Sequence, residues 1–337
     1  MKDIFEGKTV LVTGGTGSFG QKFTEMILKS HRPEAVRIYS RGELKQVEME
    51  RRFNDSYDGK AYDKLRFLIG DVRDSRRLNR ALNGVDIVVH AAALKHVPVA
   101  EYNPAEAVKT NIHGGMNLVD AAIENNVERV IALSTDKAVH PVNLYGATKA
   151  VMEKLIIQGN VYRGKEKKTM LSCVRYGNVV GSSGSVIPLF LKQRESGEIT
   201  VTDERMTRFW ITLEQGAQLV IDSLSMMKGG EIFVPKIPSM RMTDLADVVA
   251  PGVKRKVTGI RPGEKLHEVL LTWDEARHAK EYDRHFIIEP EYKFWDASNH
   301  AGGKALADGF SYTSDNNKVW LKGGELRKML EEQGFKV

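Results

Sequence analysis

Tyr145 and Lys149 are four residues apart, the spacing that places two side chains on one face of a helix. A phenol is a poor base near neutrality, with an ordinary pKa of about 10. An ammonium group on the same face stabilises the phenolate and brings that pKa down. Together they form an acid/base unit able to take the proton of an alcohol while hydride leaves its carbon. A Tyr-x-x-x-Lys pair arises often by chance, so its neighbours decide its weight. Ser134-Thr135-Asp136-Lys137 precedes it closely. Near the chain start, Val10-Leu11-Val12-Thr13 runs straight into Gly14-Gly15-Thr16-Gly17-Ser18-Phe19-Gly20. Glycines at this spacing between a strand and a helix allow a tight turn, a close backbone approach to a pyrophosphate and close helix–strand packing. The unpaired N–H groups of the helix N-terminus then face the diphosphate. The two motifs together point to a dinucleotide beside an alcohol-oxidising unit.

These residues need a scaffold that brings strand ends together. Short β-branched runs predict strands over 9–13, 36–40, 65–69, 87–91, 129–133 and 172–176, with helices over 21–30, 43–53, 104–125 and 145–158. Alternation of this kind builds βαβ units, and the right-handed crossover closes them into an α/β, doubly wound parallel sheet of the Rossmann type. Beyond Gly177 the chain changes character, with Gly and Ser over 179–188 and later Pro235, Pro238, Pro251, Pro262 and Gly263. We therefore expect a dinucleotide-binding domain over 1–178, with 211–234 returning to it, and a smaller substrate-binding region from 179–210 and 235–337. A short amphipathic helix is expected over 324–335.

The second strand ends in Ser40-Arg41, with Lys45 one turn on and no acid at the strand end. A hydroxyl and a guanidinium suit a ribose 2′-phosphate, which favours NADP over NAD. The alternative is an Arg41 that merely caps the surface. Asp71, after the third strand, could meet the adenine amino group, and the small Ala91-Ala92-Ala93 lets backbone run against a cofactor.

Composition bounds the rest. The chain has 337 residues, 50 Lys plus Arg against 44 Asp plus Glu, and one cysteine, Cys173. Its length suffices for a buried core without a disulfide or metal staple. A single cysteine excludes an internal disulfide and a four-cysteine zinc site. His90 and His96 have no third partner at ligand spacing, so no metal is expected. The net charge of +6 allows a nucleic-acid surface, but basic clusters such as 73–80 and 165–168 read as solvated faces. The longest apolar run, 86–94, is too short to span a bilayer and reads as a buried strand. The N-terminus shows no secretory signal. We expect a cytoplasmic protein without membrane or nucleic-acid partners.

The stretches GGTGSFG (14–20), IGDVRD (69–74), AAALKHVP (91–98), STDKA (134–138), LYGATK (144–149), RYGNVVGSSGSVIP (175–188), MTRFWIT (206–212) and RPGEKLHE (261–268) extend over nearly the whole chain. In combination they resemble the extended short-chain dehydrogenase/reductases, and within them the inverting UDP-N-acetylglucosamine 4,6-dehydratases of pseudaminic acid biosynthesis. Asp136-Lys137 carries the distinction, because related dehydratases acting on dTDP-glucose have Asp-Glu there. Gly42 departs from the pattern; the family usually shows an acidic residue at that position.

The resemblance implies a hydro-lyase that oxidises C4 transiently with NADP+, with Tyr145, Lys149 and Thr135 at the reacting alcohol. Lys137, as a neutral amine, removes the C5 proton; Asp136, as an acid, aids loss of the C6 hydroxyl. Hydride returns to C6 and a proton reaches C5 from the opposite face. Burial and Lys149 are expected to lower the pKa of Lys137. The resemblance places Gly14, Thr16, Gly17, Ser18, Phe19, Gly20, Ser40, Arg41, Glu43, Leu44, Lys45, Asp71, Val72, Ala91, Ala92, Lys95, Thr110, Asn111, Tyr145, Lys149 and Val179 at the cofactor. UDP-N-acetylglucosamine falls to Lys95, Asn178, Val186, Ile187, Pro188, Leu189, Phe190, Thr202, Arg205, Arg261 and Glu264. A homo-oligomer, dimer or hexamer, is implied. Two other readings stay open: a C5-retaining dehydratase or sugar-nucleotide epimerase, and a nucleotide-binding regulatory module without catalysis.

Overall fold

Strands whose residues are apolar on both faces must be covered on both sides, and here they pair side by side in parallel. β1 (Thr9–Thr13), β2 (Ala35–Ser40), β3 (Leu65–Ile69), β4 (Ile87–His90), β5 (Arg129–Leu133) and β6 (Met170–Val174) lie in the order β3-β2-β1-β4-β5-β6. The computed structural model describes residues 3–56, 62–164, 167–181, 185–292, 294–295 and 300–337. Lys165 and Glu166 of the basic cluster, and 182–184 of the Gly/Ser stretch, lie outside the described residues. Strand order reverses between β1 and β4, with Thr13 registering with Tyr39 on one side and His90 on the other. The crevice at such a reversal, beyond the C-terminal strand ends, is where open α/β sheets bind ligands.

α1 (Ser18–Ser30) and α2 (Glu43–Ser56) follow β1 and β2 as expected. Three of the differences from expectation have a clear cause. The strand expected over 172–176 starts at Met170, where its backbone registers with Arg129 of β5, and ends before Arg175 turns to buried carboxylates. The helix expected over 104–125 is broken by a π-helical turn, Lys109–His113, whose Asn111 side chain bonds both backbone groups of Leu94. The helix Ser75–Leu82, capped by Asp74, was not anticipated; it buries Leu78, Ala81 and Leu82 beneath its arginines.

The sheet extends past β6. Ile232–Pro235 joins β6 in parallel, and His285–Ile288, Ala279–Glu281 and Lys304–Ala305 add antiparallel neighbours. Stretches 279–288 and 304–305, expected in the substrate-binding region, thus lengthen the main sheet. A second apolar core gathers Ile187, Phe190, Trp210, Met240, Leu245, Val249, Leu326 and Leu330. It joins the helices Val186–Glu195, Met242–Val249 and Gly323–Glu332 into a body beside the strand ends. No helix among the described residues is long and apolar enough to cross a membrane.

Candidate active site

A cleft of about 1340 Å³ runs from the end of β2, past β1, β4 and β5, to the second core. Sites for one small ligand span roughly 300–1000 Å³, so this cleft has room for two.

Its middle is built from a turn and a helix. After β5 the chain makes the tight turn Asp136–Ala138, and the helix Leu144–Gln158 begins shortly beyond. Asn143 caps that helix, its Oδ1 accepting from Gly146 N at 2.8 Å. This fixes the first turn and brings Tyr145 and Lys149 onto the cleft wall together, with Thr135 and Lys137 beside them. Turn and helix touch because residue 146 is glycine: a Cβ there would overlap the carbonyl oxygen of Lys137. Asp136 is fully buried and does not itself line the cleft. Its Oδ1 accepts from Thr135 Oγ1 at 2.8 Å and from Lys137 Nζ at 3.1 Å, while Oδ2 has no protein partner.

The electrostatics correct two expectations. Burial works to strip the proton from Lys137, and Arg208 helps, but the carboxylates of Asp136 and Glu268 outweigh both and hold its pKa above the ordinary lysine value. The direction is the reverse of that expected, because the expectation left out the negative charges of Asp136, the immediate neighbour, and of Glu268, 3.5 Å from Nζ. Tyr145 is pushed up to about 12 by burial, and the cation opposing that rise is Lys137, not Lys149. Lys149 is brought down to about 8 by burial. Lys95 is lowered by burial and by the charge of Lys137.

The walls fit a dinucleotide. Gly14 has φ 64°, and a Cβ on it would meet the Ala92 backbone at 2.9 Å. The loop lies against the β4 end, as a phosphate cradle requires. α1 has Gly17 at its N-cap, with no side-chain cap and no acidic residue in its first turn, so its N–H groups stay available to an anion. Thr16, Ser18, Phe19, Gly20, Ser40, Arg41, Leu44, Lys45, Asp71, Val72, Ala91, Ala92, Thr110 and Val179 line the cleft with them. Toward the second core, Lys95, Asn178, Val186, Ile187, Leu189, Phe190, Thr202, Arg261 and Glu264 do so. Ser134 Oγ, Thr110 Oγ1, Asn178 Oδ1, Trp210 Nε1 and Glu264 Oε2 are buried without a protein partner. All five residues line the cleft, where a polar ligand satisfies orphaned polar atoms of this kind.

Some expected residues do not reach this wall. Glu43 is exposed in the first turn of α2. Asn111 spends its amide on Leu94 and on Thr148 Oγ1, bracing the β4 loop against the Tyr145 helix. Pro188 faces out of the first turn of its helix. Arg205 forks onto Asp203 at 2.8 and 3.0 Å and stays largely exposed. Arg208, given no role from sequence, lines the cleft instead. Asn143, Gly146 and Glu268 were also passed over. Gly146 and Glu268 stood inside quoted motifs, but no spacing signalled their partners.

Comparison with known proteins gives the family. The family model described as polysaccharide biosynthesis protein matches residues 10–290. A Campylobacter jejuni subsp. jejuni serotype O:2 protein named UDP-N-acetylglucosamine 4,6-dehydratase (inverting) is 49% identical over 342 residues, covering 98% of this chain and 100% of the relative. A Rickettsia akari protein named UDP-glucose 4-epimerase is 40% identical, covering 97% of this chain and 96% of its own. The X-ray structure of Pen from Bacillus thuringiensis superposes with a TM-score of 0.86 at 39% identity, covering 98% of this chain and 99% of that one. With a family model matched over most of its length and a relative of near-half identity aligned from end to end, this chain belongs to the polysaccharide biosynthesis proteins and, among them, to the inverting UDP-N-acetylglucosamine 4,6-dehydratases.

Proposed function

We propose that the protein removes water from UDP-N-acetylglucosamine, inverting C5 and leaving UDP-2-acetamido-2,6-dideoxy-4-keto-L-arabino-hexose, with NADP as a recycled cofactor. The observation that carries the reading is the Asp136–Lys137 pair, bonded at 3.1 Å, with Lys137 lining the cleft together with Tyr145 and Lys149 and Asp136 buried behind it. A reductase or epimerase needs only an acid/base at the alcohol. A dehydratase needs a second base and a second acid.

The glycine loop, Ser40, Arg41, Lys45, Tyr145 and Lys149 would hold the dinucleotide, which when bound supplies a reversible hydride acceptor for C4 and donor for C6. Asp71 is engaged by Arg73 at 2.7 and 2.9 Å, leaving Arg41 as the charge offered to the ribose; this supports NADP over NAD. Tyr145 takes the C4 hydroxyl proton as a phenolate, a form that burial opposes and the charge of Lys137 favours, and Lys149 orients the ribose. A 4-ketone acidifies the C5 hydrogen. Lys137 then needs a lone pair, and its surplus proton has a nearby acceptor in Asp136 Oδ1. One transfer along that bond converts ammonium and carboxylate into amine and acid, the two forms the elimination requires, with no proton gained or lost. Substrate binding favours the shift by excluding water from an ion pair. Asp136 returns its proton to the departing C6 hydroxyl through Thr135 Oγ1, which bonds it and lines the cleft. Arg208, Arg261 and Lys95 provide positive charge for the diphosphate. In this reading the glycine-loop half holds the dinucleotide and the second core supplies the nucleotide-sugar wall.

The test is incubation with UDP-N-acetylglucosamine in D2O, followed by NMR. The expected product is the 6-deoxy-4-keto sugar with deuterium at C5 and inverted configuration. The epimerase name borne by the Rickettsia akari relative favours a second reading, 4-epimerisation. It gives a product that keeps its C6 hydroxyl and gains no deuterium at C5.

A further inference from the structure

Glu268 lies far from Lys137 in sequence, yet its Oε1 stands 3.5 Å from Lys137 Nζ and 3.7 Å from Arg208 Nε. The side chain is almost wholly buried, and Oε2 has no protein partner. Its backbone is held on both sides by one residue: Glu268 N donates to Ser314 Oγ at 2.9 Å, and Ser314 N donates to Glu268 O at 2.8 Å. The following strand, Val269–Leu271, pairs with Tyr312–Thr313 and packs on the Asp136–Ala138 turn. Arg208 is equally fixed, donating to the carbonyls of Thr207, Leu266 and Lys265. A buried carboxylate is costly unless it is paired. Held this rigidly against a base, it acts on that base's position and charge.

We propose that Glu268 is a positioning residue for Lys137: it anchors the amine opposite Asp136 and sets the pH above which that amine can accept a carbon-bound proton. The proposal rests on the dehydratase reading. Lys137 faces Asp136 on its own turn, Glu268 before the strand Val269–Leu271, Lys265 in the loop leading to Glu268, Arg208 on the strand Thr207–Ile211, Lys95 after β4 and Tyr145 on its helix. Only Asp136 and Glu268 are negative. Asp136 trades protons with the amine. Glu268, shared with Arg208, stays as a fixed charge that holds a second proton on the Asp136–Lys137 pair until the pH is high enough; with one proton between them the pair can take its amine-and-acid form. Removing that charge eases the loss of the proton.

The experiment follows deuterium uptake at substrate C5 from D2O against pH, for the parent, Glu268→Gln and Glu268→Asp, with UDP-N-acetylglucosamine and NADP supplied. Glu268→Gln is expected to move the rising limb of the profile about one pH unit lower, with a reduced plateau because the second anchor is weakened. Glu268→Asp keeps the charge but withdraws it, so its limb falls between the two. An unmoved limb in Glu268→Gln overturns the proposal. If that variant does not fold, an unmoved limb in Glu268→Asp does so. Equal shifts in both variants point to a packing disturbance and also overturn it. If the parent itself neither turns over nor exchanges C5, the dehydratase reading has failed instead.

Discussion

The Cα of Gly146 lies so close to the Lys137 carbonyl that a single methyl group would overlap it. This contact sets the distance between the helix carrying Tyr145 and the turn carrying Asp136 and Lys137. Gly146→Ala must push the two apart. Displacements near 1 Å cost about 100-fold in rate, and overpacking of this kind costs about 1–3 kcal/mol of stability. We expect kcat to fall by about two orders of magnitude, with a lower Tm. Gly216→Ala is the control, since nothing lies within 4 Å of its Cβ position; steady-state kinetics should leave it at the parent's rate.

Lys149 gives a pH dependence with a definite sign. Burial brings it to about 8, against an ordinary 10.5. Between those values the unfolded chain binds a proton that the folded chain does not, so stability rises as pH climbs through that window. Below about pH 8 the full cost of the buried charge is present, on the order of 3 kcal/mol. Lys149→Met should therefore be inactive yet melt higher than the parent at pH 7, and the difference should shrink toward pH 10.5. Thermal denaturation across that range checks it; a variant melting below the parent at pH 7 contradicts the account.

What could be read in advance follows from how local each signal is. The glycine loop, the strand before it and the Tyr145–Lys149 spacing are written within a few neighbouring residues, and the structure brings them together on one wall. Ser75–Leu82 was missed because its arginines hide a narrow apolar stripe of Leu78, Ala81 and Leu82. The π turn depends on Asn111 reaching Leu94, a tertiary bond that periodicity does not carry. The charge state of Lys137 was misjudged on two counts: the raising effect of Asp136, its sequence neighbour, was overlooked, and Glu268 is a neighbour only after strands from the second half of the chain have paired. Arg205, next to Asp203, paired locally and left the cleft to Arg208.

Arg41 supplies a further test. Its side chain is more than half exposed at the end of β2, 3.9 Å from Asp71, which Arg73 already engages. A charge-assisted bond to a 2′-phosphate is worth about 1.5–3 kcal/mol. Arg41→Ala should weaken NADP binding roughly 10- to 100-fold and leave NAD binding near the parent's. Titration of both nucleotides by intrinsic fluorescence separates the outcomes; equal loss for the two would place Arg41 away from the ribose.

Asn143 joins the reacting helix to the arginine turn. Its Oδ1 caps Gly146 N at 2.8 Å, and its Nδ2 donates to Gly263 O at 2.8 Å, in the turn that carries Arg261 and Glu264 to the cleft. The two bonds can be separated by chemistry. Asn143→Asp keeps an acceptor at the cap, where a negative charge is favoured by the helix dipole. It has no proton for Gly263 and sets two acceptors against each other. Asn143→Ala loses both bonds. If the turn serves the nucleotide sugar, Asn143→Asp should lose about 1 kcal/mol of stability and hold its kcat, while KM for that substrate rises about tenfold. Asn143→Ala should lose about 1 kcal/mol of stability and fall in kcat as well, because the turn with Tyr145 frays. A KM that moves only in Asn143→Ala would mean that helix order, and not the tie to Gly263, governs substrate binding.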